Sequence, residues 1–267
     1  MADASAVWRD VERIRSQAPL VHNITNYVAM ALTANALLAL GASPVMAHAP
    51  EEVDEMAALS AALVLNIGTL SPPWVTAMLR AGNAARRKGI PIVLDPVGAG
   101  ATRYRTETAR RLLRDLRPAV LRGNASEIRA LATSEAGTKG VDSRHAPEAA
   151  LEAARRLSSE FGAVVSVSGP VDLIVLGASV VRTANGHPLM PRVTGLGCVA
   201  SALTGAFAAV AASPLEAAAH AMAVMGIAGE MAGEEASGPA SFQTRFLDAL
   251  YNLSEADISG RLKMGSA

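Results

Sequence analysis

The sequence has little cysteine, few aromatic residues and no excess of either charge. Its single cysteine, Cys198, excludes an intrachain disulfide and a metal cage built from several cysteines, and it fits a reducing compartment. Lysine plus arginine and aspartate plus glutamate both total 24, so charge gives no reason to expect a nucleic acid or an anionic membrane as partner. Because aromatic residues make up only 3%, the core must be built from alanine, leucine, valine and methionine.

Long apolar runs and targeting signals are also missing. The longest apolar run, 199–212, is too short to span a bilayer and contains Ser201 and Thr204, so a buried helix is expected there. The first residues lack the basic and apolar blocks of a signal peptide, which predicts a cytoplasmic protein. No linker, charge run or repeat divides the chain, and we therefore expect residues 1–267 to form a single domain.

Short apolar runs alternate with helical patterns along the chain, and an irregular loop is expected at 133–146. The predicted strands lie at 19–26, 42–47, 62–68, 90–95, 119–122, 164–169, 173–176 and 179–183. The predicted helices lie at 8–17, 27–40, 71–88, 106–117, 147–160, 214–235 and 240–253, with others beginning near 50, 124 and 198, before a polar tail. This alternation predicts an α/β fold with a central, mostly parallel sheet flanked by helices.

Polar residues stand at the ends of several predicted strands. They include Asn26, Asn66, Asp95, Arg122 and Ser168. Ligands of parallel sheets bind at the carboxyl ends of the strands, so we expect these side chains to share one site.

The stretch 194–198 (TGLGC) precedes the longest apolar run, which predicts that Gly195 and Gly197 lie at a helix N-terminus. Backbone N–H groups of Gly195, Leu196, Gly197 and Cys198 would then converge as an anion hole, supported by the helix dipole. A thiol at such a position can have a lowered pKa. Alternatively, the glycines only allow close packing, and the cysteine is a small buried apolar residue.

Gly195 and Gly197 also match a dinucleotide-binding spacing, with Ala200 as its third small residue. We do not favour that interpretation. No clear apolar strand precedes the glycines, and no acidic residue follows a second strand at the distance that a ribose contact requires.

Two acidic residues are candidates for a magnesium site at the same sheet edge. Asp95 ends an apolar strand, and Glu127 follows Asn124 at the start of a helix. Together they could hold Mg²⁺ mainly through water. The structural alternatives are a turn-forming aspartate and a helix capping box, respectively.

The remaining polar residues fit ordinary structural roles, with one exception. Arg122, at a strand end, needs an anion or a carboxylate as partner. Ser168 either binds a ligand or forms a tight turn with the glycine that follows. His22 and His48 lack metal-ligand spacing and are expected to be structural. A solvated helix face is expected for a group of four arginines: Arg110, Arg111, Arg114 and Arg117.

Six motifs occur in one order along the chain: residues 21–26 (VHNITN), 41–46 (GASPVM), 65–69 (LNIGT), 94–100 (LDPVGAG), 122–127 (RGNASE) and 194–198 (TGLGC). With them the chain resembles the hydroxyethylthiazole kinases of the ribokinase-like superfamily, from about residue 19 to about residue 251. The resemblance implies a three-layer α/β sandwich. It also implies phosphorylation of 4-methyl-5-(2-hydroxyethyl)thiazole with ATP and Mg²⁺ in thiamine salvage, by a homotrimer whose thiazole pocket lies at the subunit boundary.

The resemblance also implies roles for individual residues. Met46 and Gly195 correspond to thiazole-binding positions, and Asn26 and Gly68 are expected near them. Arg122 and Ser168 correspond to ATP-binding positions of the family. Asp95 and Glu127 correspond to its magnesium-associated positions.

Cys198 stands where most ribokinase-like kinases carry an aspartate base, and we expect it to act as a weak general base. This cysteine is typical of thiazole kinases. It therefore disfavours two related activities, a hydroxymethylpyrimidine kinase and a nucleotide-hydrate dehydratase. A non-catalytic thiazole- or nucleotide-binding protein is the alternative from another class.

Overall fold

A computed structural model describes residues 3–133 and 146–266. The strands within those ranges are β1 (Leu20–Ile24), β2 (Ser43–Val45), β3 (Ala62–Asn66), β4 (Ile92–Asp95), β5 (Val120–Asn124), β6 (Val164–Ser168), β7 (Asp172–Leu176), β8 (Ser179–Thr183) and β9 (Met264–Ser266). They form one sheet in the order β2-β1-β3-β4-β5-β6-β7-β8-β9. Pairing is parallel from β2 to β6 and antiparallel from β6 to β9, so the expected mostly parallel sheet is confirmed.

Helices cover both faces of the sheet. They are α1 (Ala4–Gln17), α2 (Met30–Leu40), α3 (Val53–Leu59), α4 (Pro72–Lys88), α5 (Arg103–Leu116), α6 (Ala125–Ala132), α7 (Ala146–Phe161), α8 (Leu196–Ala208), α9 (Pro214–Glu235), α10 (Pro239–Asn252) and α11 (Glu255–Arg261). Successive strand residues point to opposite faces, so Val64 packs in one apolar cluster and Leu63 and Leu65 in the other. The result is a three-layer sandwich. None of the described helices is long and apolar enough to cross a membrane.

The central helix of one face, α8, lies very close to the sheet. A Cβ added at Gly205 would come within 2.6 Å of the Val64 side chain and 3.2 Å of the Val21 side chain. This close approach fixes the helix against β1 and β3, and therefore fixes where its N-terminus lies at the sheet edge.

Several predicted elements differ from the structure. The polar tail prediction is wrong, because α11 begins with a capping box at Ser254, buries Ile258 and leads into β9, which pairs with β8. A strand as short as β9 has no apolar alternation to reveal it, since pairing with an edge strand forms it. Of the loop expected at 133–146, residues 134–145 lie outside the described ranges.

Three of the four arginines of the expected solvated face are exposed: Arg111, Arg114 and Arg117. Arg111 and Arg114 each form an ion pair with Asp115. Arg110 instead donates to the Leu131 and Thr133 carbonyls. Arg117 caps α5 in the left-handed conformation and donates to the carbonyl of Glu160. Long arginine side chains reach neighbouring carbonyls that sequence spacing alone does not reveal.

Candidate active site

The carboxyl ends of β1 and β3 to β6 border a cavity of about 440 Å³. The predicted site residues that line it are Asn26, Gly68, Asp95, Arg122, Glu127, Ser168, Gly195, Gly197 and Cys198. Five further residues line it, and none of them was assigned a ligand-binding role from the sequence: Val28, Thr69, Val97, Asn124 and Thr194. Each stands within two residues of a predicted site residue, so the neighbours of those residues were the available signal.

The N-terminus of α8 forms one wall of this cavity. Gly195 is the residue before the helix, with a φ of 89°, and its carbonyl accepts the first helical hydrogen bond, from the Val199 N–H at 2.9 Å. The amides that precede Val199 therefore have no carbonyl partner within the helix. Glycine suits this position because of its left-handed φ and because an added Cβ would lie 3.3 Å from the Ala29 Cβ. The arrangement offers N–H donors and a positive dipole end to an anion.

A chain of hydrogen bonds links the cysteine to a buried carboxylate. Asn26 Nδ2 donates to Cys198 Sγ at 3.1 Å and to Asn66 Oδ1 at 2.9 Å. Asn66 Nδ2 in turn donates to Asp95 Oδ2 at 2.8 Å, and Ser201 Oγ donates to the same oxygen at 2.7 Å. Asn66 was expected near this site without a specific role, and Ser201 was not assigned to it. The signal for Asn66 was its place at a strand end, in register with Asp95.

Burial and, second to it, the nearby charge of Asp95 raise the pKa of the Cys198 thiol to about 11, although the hydrogen bond from Asn26 acts in the opposite direction. The expected lowering of this pKa is therefore wrong. Enclosure of the sulfur beside a carboxylate outweighs the favourable helix dipole. The thiol is thus neutral at pH 7, and a neutral thiol is a poor proton acceptor.

Asp95 is also buried, and burial raises its pKa to about 6. The positive charge of Arg122 and the hydrogen bonds from Ser201 and Asn66 act in the opposite direction. The carboxylate is therefore ionised at pH 7.5 and presents a fixed negative charge at the cavity wall.

Arg122 is buried beneath the first turn of α8. Its Nη1 donates to the Gly197 carbonyl at 2.8 Å, whereas its Nε is buried and has no hydrogen-bond partner among the residues that the structure describes. An unpartnered buried guanidinium donor is costly unless an anion or acceptor meets it. Because Arg122 lines the cavity, its charge is available to an anionic ligand there.

Glu127 forms the capping box that was the structural alternative. Its Oε2 accepts the Asn124 N–H at 2.8 Å, and Asn124 Oδ1 accepts the Glu127 N–H at 2.9 Å. Its Oε1 accepts the Gly98 N–H at 2.8 Å. The carboxylate thus ties the start of α6 to the loop after β4 while it lines the cavity.

A second, larger cavity of about 800 Å³ adjoins the first, and Arg122, Ser168 and Gly197 line both. Its apolar walls include Val193, Leu196, Ala200, Met222 and Met225. The predicted residue Leu196 therefore lies on this side rather than in the smaller cavity. The sequence prediction missed most of this cavity, because the methionines of α9 resemble ordinary core residues.

Met46 is the predicted residue that lines neither cavity. It follows the edge strand β2 and is partly exposed, and its carbonyl lies 3.2 Å from His48 Nδ1. His22 Nε2 lies 2.7 Å from the Ala47 carbonyl, and burial lowers the pKa of this ring. The two histidines thus make local contacts around the end of β2.

The family model that matches this chain describes the hydroxyethylthiazole kinase family and covers residues 11–256. The chain belongs to the hydroxyethylthiazole kinase family.

Individual hydroxyethylthiazole kinases agree with that assignment. The enzyme of Syntrophus aciditrophicus (strain SB) is 60% identical over 258 residues, which cover 96% of this chain and 96% of the relative. The structure of the hydroxyethylthiazole kinase protein from Pyrococcus horikoshii OT3 has a TM-score of 0.91 at 46% identity and covers 98% of each chain. Pyridoxal kinase from Staphylococcus aureus, solved with AMP-PCP and pyridoxal, has a TM-score of 0.64 at 16% identity, covering 93% of this chain and 98% of that one. The last match shows a shared fold alone, and the fold is ribokinase-like as expected.

In this member of the hydroxyethylthiazole kinase family, Gly226 of α9 packs against the backbone of a loop that lines the larger cavity. A Cβ added at Gly226 would lie 2.5 Å from the Asn185 carbonyl oxygen, so the backbone of that loop must move. Because Arg122 and Ser168, the residues expected to bind ATP, line this cavity, we expect Gly226→Ala to raise KM for ATP about 10-fold and to lower the free energy of unfolding by about 1–3 kcal/mol. Steady-state kinetics and urea unfolding check this. The matched control is Gly260→Ala in α11, where an added Cβ has no neighbour within 4 Å. A selective rise in KM for the alcohol instead would contradict the prediction.

Asp172, on the wall of the larger cavity, makes stability depend on pH. Burial raises its pKa from 3.8 to about 6, although its Oδ1 accepts the Gly169 N–H at 2.9 Å. The folded state therefore keeps a proton that the unfolded state loses between these values, and stability falls as pH rises through that window. We expect the stability difference between Asp172→Asn and wild type to shift by about 1.5 kcal/mol in favour of the variant from pH 5 to pH 8.

Urea unfolding of both proteins at the two pH values checks this. The pKa of Asp95 is raised in the same direction, but Asp95 is present in both proteins and its contribution cancels. A stability difference that is the same at both pH values would refute the expectation.

Proposed function

We propose that this chain transfers the γ-phosphoryl group of ATP to the primary alcohol of 4-methyl-5-(2-hydroxyethyl)thiazole, as a step of thiamine salvage. The observation that carries the proposal is that the amide end of α8, Cys198, Asp95 and Arg122 all line one cavity that adjoins a larger apolar one. The alcohol oxygen forms a bond to the γ-phosphorus while the bond from that phosphorus to the bridging oxygen breaks. ADP leaves, and the proton of the alcohol passes to solvent or to the phosphate product.

The larger cavity suits the nucleoside part of ATP. Its walls are mostly apolar, as expected for a pocket that takes a flat heterocycle. Arg122 and Ser168 line both cavities, and we assign them to the polyphosphate between the two. The guanidinium then adds a fixed positive charge where negative charge spreads over the phosphoryl oxygens.

The amides from Gly195 to Cys198 form the anion hole of the proposal. They need no reorganisation, because α8 is fixed against the sheet and its N-terminus opens into the smaller cavity. The neutral Cys198 thiol and the Asn26 amide bound to it then contact the alcohol. With a loose transition state the hydroxyl proton leaves late, so a strong base is not required. We also assign Gly68 and Met46 to binding of the thiazole. In the proposed trimer, Met46 contributes to the pocket of a neighbouring subunit.

The residues present fit magnesium bound together with the nucleotide. Among the described residues, no three His, Cys, Asp or Glu side chains form a cluster that could hold the ion alone. Mg²⁺ in kinases typically uses one or two carboxylates with phosphates and water, and Asp95 and Glu127 line the same cavity. Both carboxylates already accept hydrogen bonds, which suits contact through water. When bound, the ion would neutralise phosphate charge.

The proposal includes a homotrimer with shared sites, a cytoplasmic location and one kinase domain spanning 1–267. The trimer accounts for a substrate position, Met46, that lies outside both cavities of a single chain. Analytical ultracentrifugation tests the assembly.

A coupled ADP assay with the thiazole alcohol, ATP and Mg²⁺ tests the activity, with mass spectrometry of the product. We expect ADP release that depends on the thiazole alcohol and a product heavier by one phosphate. Turnover of a hydroxymethylpyrimidine in preference to the thiazole, or binding of the thiazole without turnover, would overturn the proposal.

A further inference from the structure

Arg105, in the first turn of α5, holds two loops of the smaller cavity together. Its Nη1 donates to the carbonyls of Ile67 and Val97, both at 2.8 Å, and its Nη2 donates to the Gly68 carbonyl at 2.8 Å. These carbonyls belong to the loops that follow the neighbouring strands β3 and β4. Gly68 and Val97 line the cavity. One guanidinium therefore connects two segments of the cavity wall.

The loop after β4 is fixed from both sides at Gly98. Its left-handed φ of 75° brings the backbone against the Arg105 side chain, and an added Cβ would lie 3.0 Å from Arg105 Cδ. On the opposite side the Gly98 N–H donates to Glu127 Oε1. The position of this loop thus depends on α5 and α6 together.

The loop after β3 connects Arg105 to the cysteine. A Cβ added at Gly68 would come within 2.7 Å of Asn26 Nδ2, so the Gly68 backbone presses directly on that amide. The same Nδ2 donates to Cys198 Sγ at 3.1 Å. Movement of Gly68 would therefore displace Asn26, and with it the hydrogen bond to the sulfur.

We propose that Arg105 is a positioning residue that sets the alcohol-binding side of the cavity through these two loops. It acts through Gly68 and Asn26 rather than by touching the reacting atoms. The inference rests on the proposed function, because it assigns the alcohol to this side. The larger cavity, assigned to the nucleoside part of ATP, has no wall residue from the two loops, so that part of the nucleotide site does not depend on Arg105.

The same helix offers a matched control. Arg110, five residues further along α5, also donates to backbone carbonyls, those of Leu131 and Thr133. Neither acceptor lines the smaller or the larger cavity. Arg110→Met thus removes comparable hydrogen bonds without loosening the cavity wall.

Kinetics with both substrates test the proposal. We expect Arg105→Met to lower kcat/KM for the thiazole alcohol about 10-fold, since small misplacements of a bound reactant slow its reaction, and to leave KM for ATP within about twofold of wild type. Arg105→Lys keeps a charged donor and should recover to within about threefold of wild type. Equal kinetic losses in Arg110→Met, or an equal change in KM for ATP, would overturn the proposal.

Hydrogen exchange provides a readout that needs no activity. In Arg105→Met, the peptides that contain residues 67–70 and 96–100 should exchange about 10-fold faster than in wild type or in Arg110→Met. Unchanged exchange there would refute the proposed positioning role. If wild type does not phosphorylate the thiazole alcohol, the proposed function fails, and hydrogen exchange still tests the link between Arg105 and the loops. If Arg105→Met does not fold, Arg105→Gln provides the same comparison, because its shorter side chain does not reach all three carbonyls.

Discussion

Replacing Arg122 with methionine should lower kcat/KM for ATP about 10³-fold, the size of effect expected when an arginine that stabilises phosphoryl transfer is removed. The side chain is buried under α8 and lines both cavities, and its Nε has no protein partner. Methionine keeps much of the buried volume but leaves the phosphate charge unopposed. Steady-state kinetics with varied ATP, at saturating alcohol, check this.

A lysine at the same position separates charge from shape. Arg122→Lys keeps the positive charge but loses the planar arrangement of donors. We therefore expect its kcat/KM for ATP to be about a tenth of the wild-type value. Asp95 supplies a second readout, because the Arg122 charge lowers the pKa of that carboxyl. Removing the charge should move the Asp95 pKa upward. A loss of less than tenfold in Arg122→Met would show that the guanidinium does not meet the nucleotide.

Replacing Cys198 with alanine should slow turnover about 10- to 100-fold, at or below the usual effect of a general base. Burial raises the pKa of the thiol to about 11, so at neutral pH only a small fraction is thiolate. The sulfur accepts a hydrogen bond from the Asn26 amide, and its removal takes away one of the two acceptors of Asn26 Nδ2 at the cavity wall. We therefore expect the loss to arise mainly from positioning of the alcohol.

The pH dependence distinguishes positioning from proton transfer. If the thiol acts as a neutral group, the ratio of wild-type to Cys198→Ala turnover stays constant from pH 7 to pH 9. A ratio that rises tenfold per pH unit would show that the thiolate is the base instead. Cys198→Ser is the matched control, since a hydroxyl also accepts the Asn26 hydrogen bond. Full activity of Cys198→Ala would show that the residue only forms part of the wall.

The sequence was sufficient to predict the sheet and the edge at which the site lies. The alternation of strands and helices determined the layers, and the rule that ligands bind at strand carboxyl ends located Asn26, Asp95 and Arg122 in one region. Gly195 and Gly197 indicated the start of α8, because they stand directly before the longest apolar run of the chain. These features are local or follow from fold rules.

Other properties depend on contacts that are distant in sequence. The pKa of Cys198 was predicted in the wrong direction, because its burial and the approach of Asp95 arise only after folding. Asn66 and Ser201 gain importance only through the carboxylate that they share. Arg105 stands directly before the predicted helix 106–117 and was given no role, because its acceptors lie in two loops that are 8 residues and 37 to 38 residues away.

The smaller cavity is formed partly by a tightly packed helix and partly by two loops, and this difference affects how the enzyme can evolve. The phosphate-facing groups lie on α8 and on buried strands, which tolerate few substitutions because Gly205 and the core hold them in place. Apart from Cys198, which lies on α8, the groups assigned to the alcohol come from connecting segments that can vary in length and sequence. Acceptor preference can therefore diverge among descendants of one ancestor while the chemistry of transfer is inherited intact.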